Sequence, residues 1–134
     1  MALFQWKEYY SVNIDSVDLQ HKQLVTLINS LHKEINNGFD REEVKSLLDH
    51  FMESTQSHFE NEESLMLEND YKLYHLHKRE HEQLIDDVKK FSQNLDESRS
   101  GVISELSNLI EKLKLHFLEM DKHYSPFLTS RGVC

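Results

Sequence analysis

The sequence predicts an all-α fold: an up-down-up-down antiparallel four-helix bundle preceded by an N-terminal arm. Helix breakers are scarce, with three glycines and one proline in 134 residues, and the good helix formers Leu, Glu, Lys and Gln are plentiful. Apolar residues recur in four stretches at alternating spacings of three and four, the signature of a helix with one buried face. The breaks between these stretches are short, and short connections between long helices force neighbours to run antiparallel. A chain of this length can bury one core, so residues 1–134 are expected to form a single domain. No internal repeat or low-complexity segment interrupts it.

Residues 1–16 read as an irregular arm. Phe4, Trp6, Tyr9 and Tyr10 sit there among charges and are expected to lie over the bundle, their rings buried against helix ends. The first helix is predicted over residues 17–36, with Val17, His21, Leu24, Ile28, Leu31 and Ile35 as its inward stripe. Asn37 and Gly38 end it, glycine being favoured just beyond a helix C-terminus. Asp40, with Glu43 three residues later, forms a capping-box pattern and opens a second helix over 40–68. At ~1.5 Å per residue that helix is roughly 40 Å long. Its face carries Val44, Leu47, Leu48, Phe51, Met52, Thr55, His58, Phe59, Glu62, Leu65 and Met66. Asn69 and Asp70 turn the chain into a third helix over 71–95, presenting Tyr74, His77, His81, Leu84, Val88, Phe91 and Leu95. Ser98 to Gly101 is the next break. The fourth helix, over 102–124, presents Leu106, Leu109, Leu113, His116, Phe117, Met120 and Asp121, and Ser125 and Pro126 are expected to stop it.

With 24 acidic and 15 basic side chains the formal charge is −9. Such a surface repels phosphate backbones, which argues against nucleic acid and anionic membranes as partners. No apolar stretch approaches the ~20 residues needed to cross a bilayer, and Met1 to Tyr10 lacks the basic start and long apolar run of a signal peptide. The single cysteine, Cys134, excludes an intramolecular disulfide. One unpaired thiol suits a reducing compartment, so a cytoplasmic protein is expected.

Chemistry enters with seven residues that fall on the inward stripes: His21; His58 and Glu62; His77 and His81; His116 and Asp121. The members of each pair are four or five residues apart, and each pair is expected to project from one helix face. Imidazole and carboxylate together suit iron, copper, zinc or manganese. Five imidazoles and two carboxylates exceed what one four-coordinate ion can use, which points to two metals. Taken singly, each has an ordinary explanation: His21 as a hydrogen-bonded core residue, His58 with Glu62 as an exposed pair at i, i+4. Taken together they make all four inward faces polar at once, and burying so many titratable groups without partners costs on the order of several kcal/mol each. His32, His50, His75 and His123 fall off the shared face and read as surface residues.

Two other metal sites compete. His77-Lys78-Arg79-Glu80-His81 matches H-x-x-E-H, the inverted zinc-protease motif, in which the glutamate is the general base. That reading leaves His21, His58, Glu62 and Asp121 without a task. The ferritin-type site uses Glu-x-x-His on two helices, and no glutamate in this chain is followed by histidine three residues later.

The order His21, His58-Phe59-Glu60-Asn61-Glu62-Glu63, His77 to His81, His116 to Asp121 resembles the hemerythrin family, specifically its bacterial single-domain members. Asp18-Leu19-Gln20-His21-Lys22 and the Trp6 arm are similar to that family as well, and the likeness spans nearly the whole chain. Up-down bundles are the architecture known for these proteins, so on that point resemblance and periodicity are not independent. Lys112 stands where the family often has tryptophan, and Lys72 where proline is common; neither touches the seven residues. The resemblance implies a cofactor of two iron ions, a non-heme di-iron centre with an oxo or hydroxo bridge. In it His77, His81 and His116 complete one iron, His21 and His58 hold the other, and Glu62 and Asp121 bridge them. The second iron then has one open position, which implies reversible dioxygen binding by an oxygen carrier or store, with small anions binding the ferric form. An oxygen or redox sensor and an iron-handling or peroxide- or NO-detoxifying protein are the alternatives. No acid, base or nucleophile stands out beside the open position, so no enzyme is expected beyond weak oxidase or peroxidase chemistry of the di-iron site. Leu24, Phe59 and Leu113, a turn or less from ligand histidines, are the expected walls of the oxygen pocket, and a monomer is expected.

Overall fold

The computed structural model describes residues 4–38, 40–93, 95 and 99–134 (for Arg99 the backbone alone). The first three arm residues and Ser98 of the expected break lie outside these. Helix α1 runs Asp15–Asn37, α2 Arg41–Glu68, α3 Tyr74–Gln93 and α4 Arg99–Leu115. A π-helical turn, His116–Met120, continues α4 into α5, Asp121–Ser130. Each helix packs on the next and α1 closes the ring against α4, giving the four-helix bundle.

The Asp40 carboxylate accepts from the backbone N–H of Glu42 and Glu43, satisfying two of the donors that a helix start leaves open. Two boundaries differ from expectation. Gly101 lies inside α4 rather than in a break, because the burial of Val102 and Leu106 outweighs glycine's modest cost in a helix. The helix also runs through Pro126 to Ser130. Proline weakens a helix interior by removing a donor and crowding the preceding turn, but tertiary anchors hold this one. Tyr124 and Leu128 are buried, and the Ser125 hydroxyl donates to the Val12 carbonyl at 2.5 Å.

The arm lies along the bundle, beside α1 and the π turn, rather than over helix ends. Asn29 on α1 grips it through both backbone groups of Phe4, accepting at 3.0 Å and donating at 2.7 Å. The Phe4 and Tyr10 rings are buried, each about 6 Å from Phe117 (6.0 and 6.3 Å). Trp6 is half-buried, and Tyr9, expected inside, is 57% exposed.

Two apolar clusters fill the interior. The larger gathers residues such as Leu24, Ile28, Phe51, Val88, Leu106, Leu113 and Phe117; the smaller comprises Val12, Ile14, Val17, Met66, Tyr124 and Leu128. Along every helix the histidines and carboxylates fall between residues of the two clusters, so hydrocarbon closes the polar layer above and below.

Candidate metal centre

All seven residues meet in that layer, each buried to 98% or more. They form two clusters, His77, His81, His116 and Asp121, and His21, His58, Glu62 and Asp121, with ligand atoms in each lying within 4.8 Å of one another. Asp121 belongs to both. Its Oδ1 lies 2.8 Å from His77 Nε2 and 3.1 Å from His116 Nε2, while Oδ2 lies 3.1 Å from His21 Nε2. Glu62 is split in the same way: Oε1 contacts His58 Nε2 and lies 3.7 Å from His21, and Oε2 lies 3.7 Å from His77. Each carboxylate thus turns one oxygen to either side, the arrangement needed to bridge two ions.

The spacing of His116 and Asp121 depends on the π turn. Five residues of α-helix rotate a side chain by about 140° relative to the first, which would aim one of the two away. Here the Asp121 N–H donates to the His116 carbonyl five residues back. That wider ring returns both side chains to one face. Such single π turns inside α-helices are frequent at functional sites.

Several of these atoms have no hydrogen-bond partner although they are sealed from solvent: both nitrogens of His21 and His116, Nε2 of His58 and His81, both oxygens of Glu62, and Asp121 Oδ2. Buried polar atoms are otherwise almost always paired. His21 Nε2 and Asp121 Oδ2 approach to 3.1 Å without hydrogen-bond alignment, as expected when lone pairs converge on a common point instead of on each other. Neighbouring donors on an ion with bonds of ~2.1 Å at right angles stand about 3 Å apart, close to the separations observed. The donor set and the orphaned atoms fit metal ions.

Outside the clusters, two imidazoles are held from behind. His58 Nδ1–H donates to Gln20 Oε1 at 2.7 Å, and Asn61 donates to the same oxygen at 3.1 Å. His81 Nδ1–H donates to Glu63 Oε2 at 2.8 Å. Such contacts fix the tautomer that turns Nε2 inward. Phe59 lies flat on His81, centroids 3.7 Å apart and planes 2° off parallel, and Phe117 stacks on His21 at 4.0 Å. Tyr124, 5.2 Å from His77, floors the layer.

Burial pushes His21 toward neutrality, but Asp121 and Glu62 outweigh it and raise its pKa to about 9. Burial and the charge of Asp121 oppose ionisation of Glu62, yet His58 and His21 hold its carboxyl far below the usual range. Asp121 is likewise held well down, against burial, by His116, His21 and His77. For His81 burial prevails over Glu63 and its pKa falls. Burial and then the two carboxylates push the Tyr124 phenol well up.

Of the residues expected as oxygen-pocket walls, Leu24 shares a cleft of about 250 Å³ with Gln20, Ser54, Ser57 and His58. Phe59 lines another, of about 450 Å³, with Glu63 and His81, and Leu113 is buried in the larger core. Phe117 was expected on the inward face, but Gln20, Glu63 and Tyr124 were given no role at the site by the sequence pattern. A signal existed for some: Tyr124 follows Asp121 by three residues, hence on the same face, and Glu63 adjoins Glu62. Of the remaining histidines, His50, His75 and His123 are exposed, and half-buried His32 meets Asn36 at 3.1 Å.

A ring of four helices around two histidine-carboxylate clusters that share an aspartate defines a metal-binding helical bundle. Residues 12–128 match the family model described as the hemerythrin HHE cation binding domain; the chain belongs to the hemerythrin family. It is 28% identical over 127 residues to the bacteriohemerythrin of Clostridium acetobutylicum, covering 91% of this chain and 98% of that one. To the bacteriohemerythrin of Methylococcus capsulatus it is 27% identical over 132 residues, covering 97% and 100%. A crystal structure of wild-type hemerythrin superposes with a TM-score of 0.84 at 26% identity, over 96% of this chain and 99% of that chain.

Proposed function

We propose that the chain binds dioxygen reversibly at a non-heme di-iron centre, as an oxygen carrier or store rather than an enzyme. The observation that carries this reading is the split of Asp121 and Glu62, each with one oxygen toward either cluster. His77, His81 and His116 would hold one iron and His21 and His58 the other, with both carboxylates shared. When bound, two ferrous ions would supply the two electrons by which dioxygen is held and would take them back on its release.

The protein's own contribution is asymmetry and dryness. One position has three imidazoles and the other two, so room for a small ligand lies on the side of His21 and His58. The two carboxylates offset part of the ionic charge without introducing a mobile proton, since both stay ionised. Phe59 and Phe117 cover the faces of His81 and His21, and Leu24, Phe59 and Leu113 would wall the ligand position. Hydrocarbon there excludes the water that would solvate charge leaving the site. Among the described residues no helix is long and apolar enough to cross a membrane; the reading takes the chain as a cytoplasmic monomer.

The test is optical. Purified protein is expected to contain two irons per chain, to be nearly colourless when reduced without oxygen, to gain a visible band on exposure to oxygen, and to lose it on degassing. One zinc per chain, or irreversible passage to the ferric form, contradicts the reading.

A further inference from the structure

The two imidazoles held from behind are held by different chemistry. His81 meets a carboxylate, Glu63, at 2.8 Å; His58 meets a neutral amide, Gln20, at 2.7 Å. Asn61 donates to the same Gln20 oxygen, which keeps the carbonyl rather than the amide nitrogen toward His58. A carboxylate accepting from Nδ1–H shifts electron density to Nε2 and makes the imidazole a stronger donor, whereas an amide does so weakly. Both rings are buried, and in a low-dielectric interior the difference is not screened away. The carboxylate-backed ring lies in the cluster that already has three imidazoles, so the two asymmetries add.

We propose that Glu63, acting through His81, makes the His77–His81–His116 position the more electron-rich of the two. On this assignment it is the first position to become ferric, while neutral Gln20 leaves the His21–His58 position ferrous at the same potential. In the step one electron would pass from a ferrous ion held by His77, His81 and His116 to an external one-electron acceptor such as ferricyanide; the Nδ1 proton stays on His81, and no protein bond forms or breaks. Glu63 and Gln20 are positioning residues, acting through His81 and His58. The inference rests on the di-iron reading above but not on dioxygen binding.

The experiment compares iron-loaded wild type with Glu63→Gln, Glu63→Asp and Gln20→Glu, titrated anaerobically with ferricyanide while Mössbauer spectra record which iron is ferric. Glu63→Gln is expected to raise the first midpoint by about 59 mV, equal to a tenfold weaker preference for the ferric ion, with Glu63→Asp between it and wild type. Gln20→Glu is expected to narrow the gap between the two midpoints. A Glu63→Gln protein that keeps two irons and an unchanged first midpoint overturns the proposal. Should that variant fail to fold, an unchanged gap in Gln20→Glu overturns it alone. A wild-type protein that loads no second iron defeats the di-iron reading instead. In that case nitrogen-15 NMR of the metal-free chain still decides the hydrogen bond, because a His81 Nδ1 without a proton is incompatible with donation to Glu63.

Discussion

Whether a buried histidine is a ligand or merely packed comes down to where its two nitrogens find partners. His81 shows the difference most clearly: Nδ1 is satisfied by Glu63, and Nε2 faces inward with nothing to bond. His32 has an ordinary neighbour, Asn36, and a half-exposed ring. His77→Ala is therefore expected to weaken iron binding at least tenfold, the lower end of what loss of a ligand's support alone produces. His32→Ala should leave two irons per chain. Elemental analysis of both variants checks this, and equal loss would contradict the ligand assignment. Leu113→Ser should speed autoxidation several-fold by admitting water to the dry layer, followed as decay of the oxygenated band; an unchanged rate would remove Leu113 from the pocket wall. The inward residues were legible from spacing because a helix repeats its face every three to four positions. Gln20 and Glu63 were not, since each contacts a histidine on a different helix, 38 and 18 residues away.

Helices α1 and α2 follow the pattern read from periodicity and capping, because amphipathic stripes and an Asp cap are local signals. The C-terminal helix does not, and its departure is what assembles the site. A five-residue interval between His116 and Asp121 is a visible anomaly, but only the π turn makes it productive. Inserting one alanine after Leu118 would exceed what the π turn absorbs and swing Asp121 and all later residues through about 100° relative to His116. Iron is expected to fall well below two per chain while most far-UV helicity remains, measured by elemental analysis and circular dichroism. Retention of both irons would show that the spacing of His116 and Asp121 is not decisive. By contrast, Asp40→Ala removes a cap remote from the clusters. It should cost about 1 kcal/mol in urea unfolding and leave iron content unchanged.

The polar layer couples the stability of the entire bundle to pH and to metal. In metal-free protein the pairing of His21 with Asp121 and Glu62 raises the histidine from 6.5 to about 9. Its contribution is fully present below 6.5 and lost as pH rises through about 9. The same attraction, seen from Glu62 and Asp121, holds both carboxyls below their ordinary values of 4.5 and 3.8, so it persists above those values and is lost as pH falls below them. Metal-free protein should thus be most stable between roughly pH 4.5 and 6.5 and weaken toward pH 9, read as the urea midpoint at pH 5.5 and 9. Equal midpoints would contradict the pairing. A metal ion bound at His21 would replace that proton, so a loaded protein should lose this alkaline decline and melt higher by mass action.

Periodicity, caps and the identity of the inward polar residues were properties of the chain alone: four helices, one layer of histidine and carboxylate, and a family likeness. They are local because each is written within one or two turns. Which carboxylate oxygen faces which cluster, the carboxylate behind His81 against the amide behind His58, and the passage of the last helix through Pro126 were decided in three dimensions. Each depends on distances between separate helices, and burial across those interfaces outweighs local preference where the two conflict, as Pro126 and Gly101 both show.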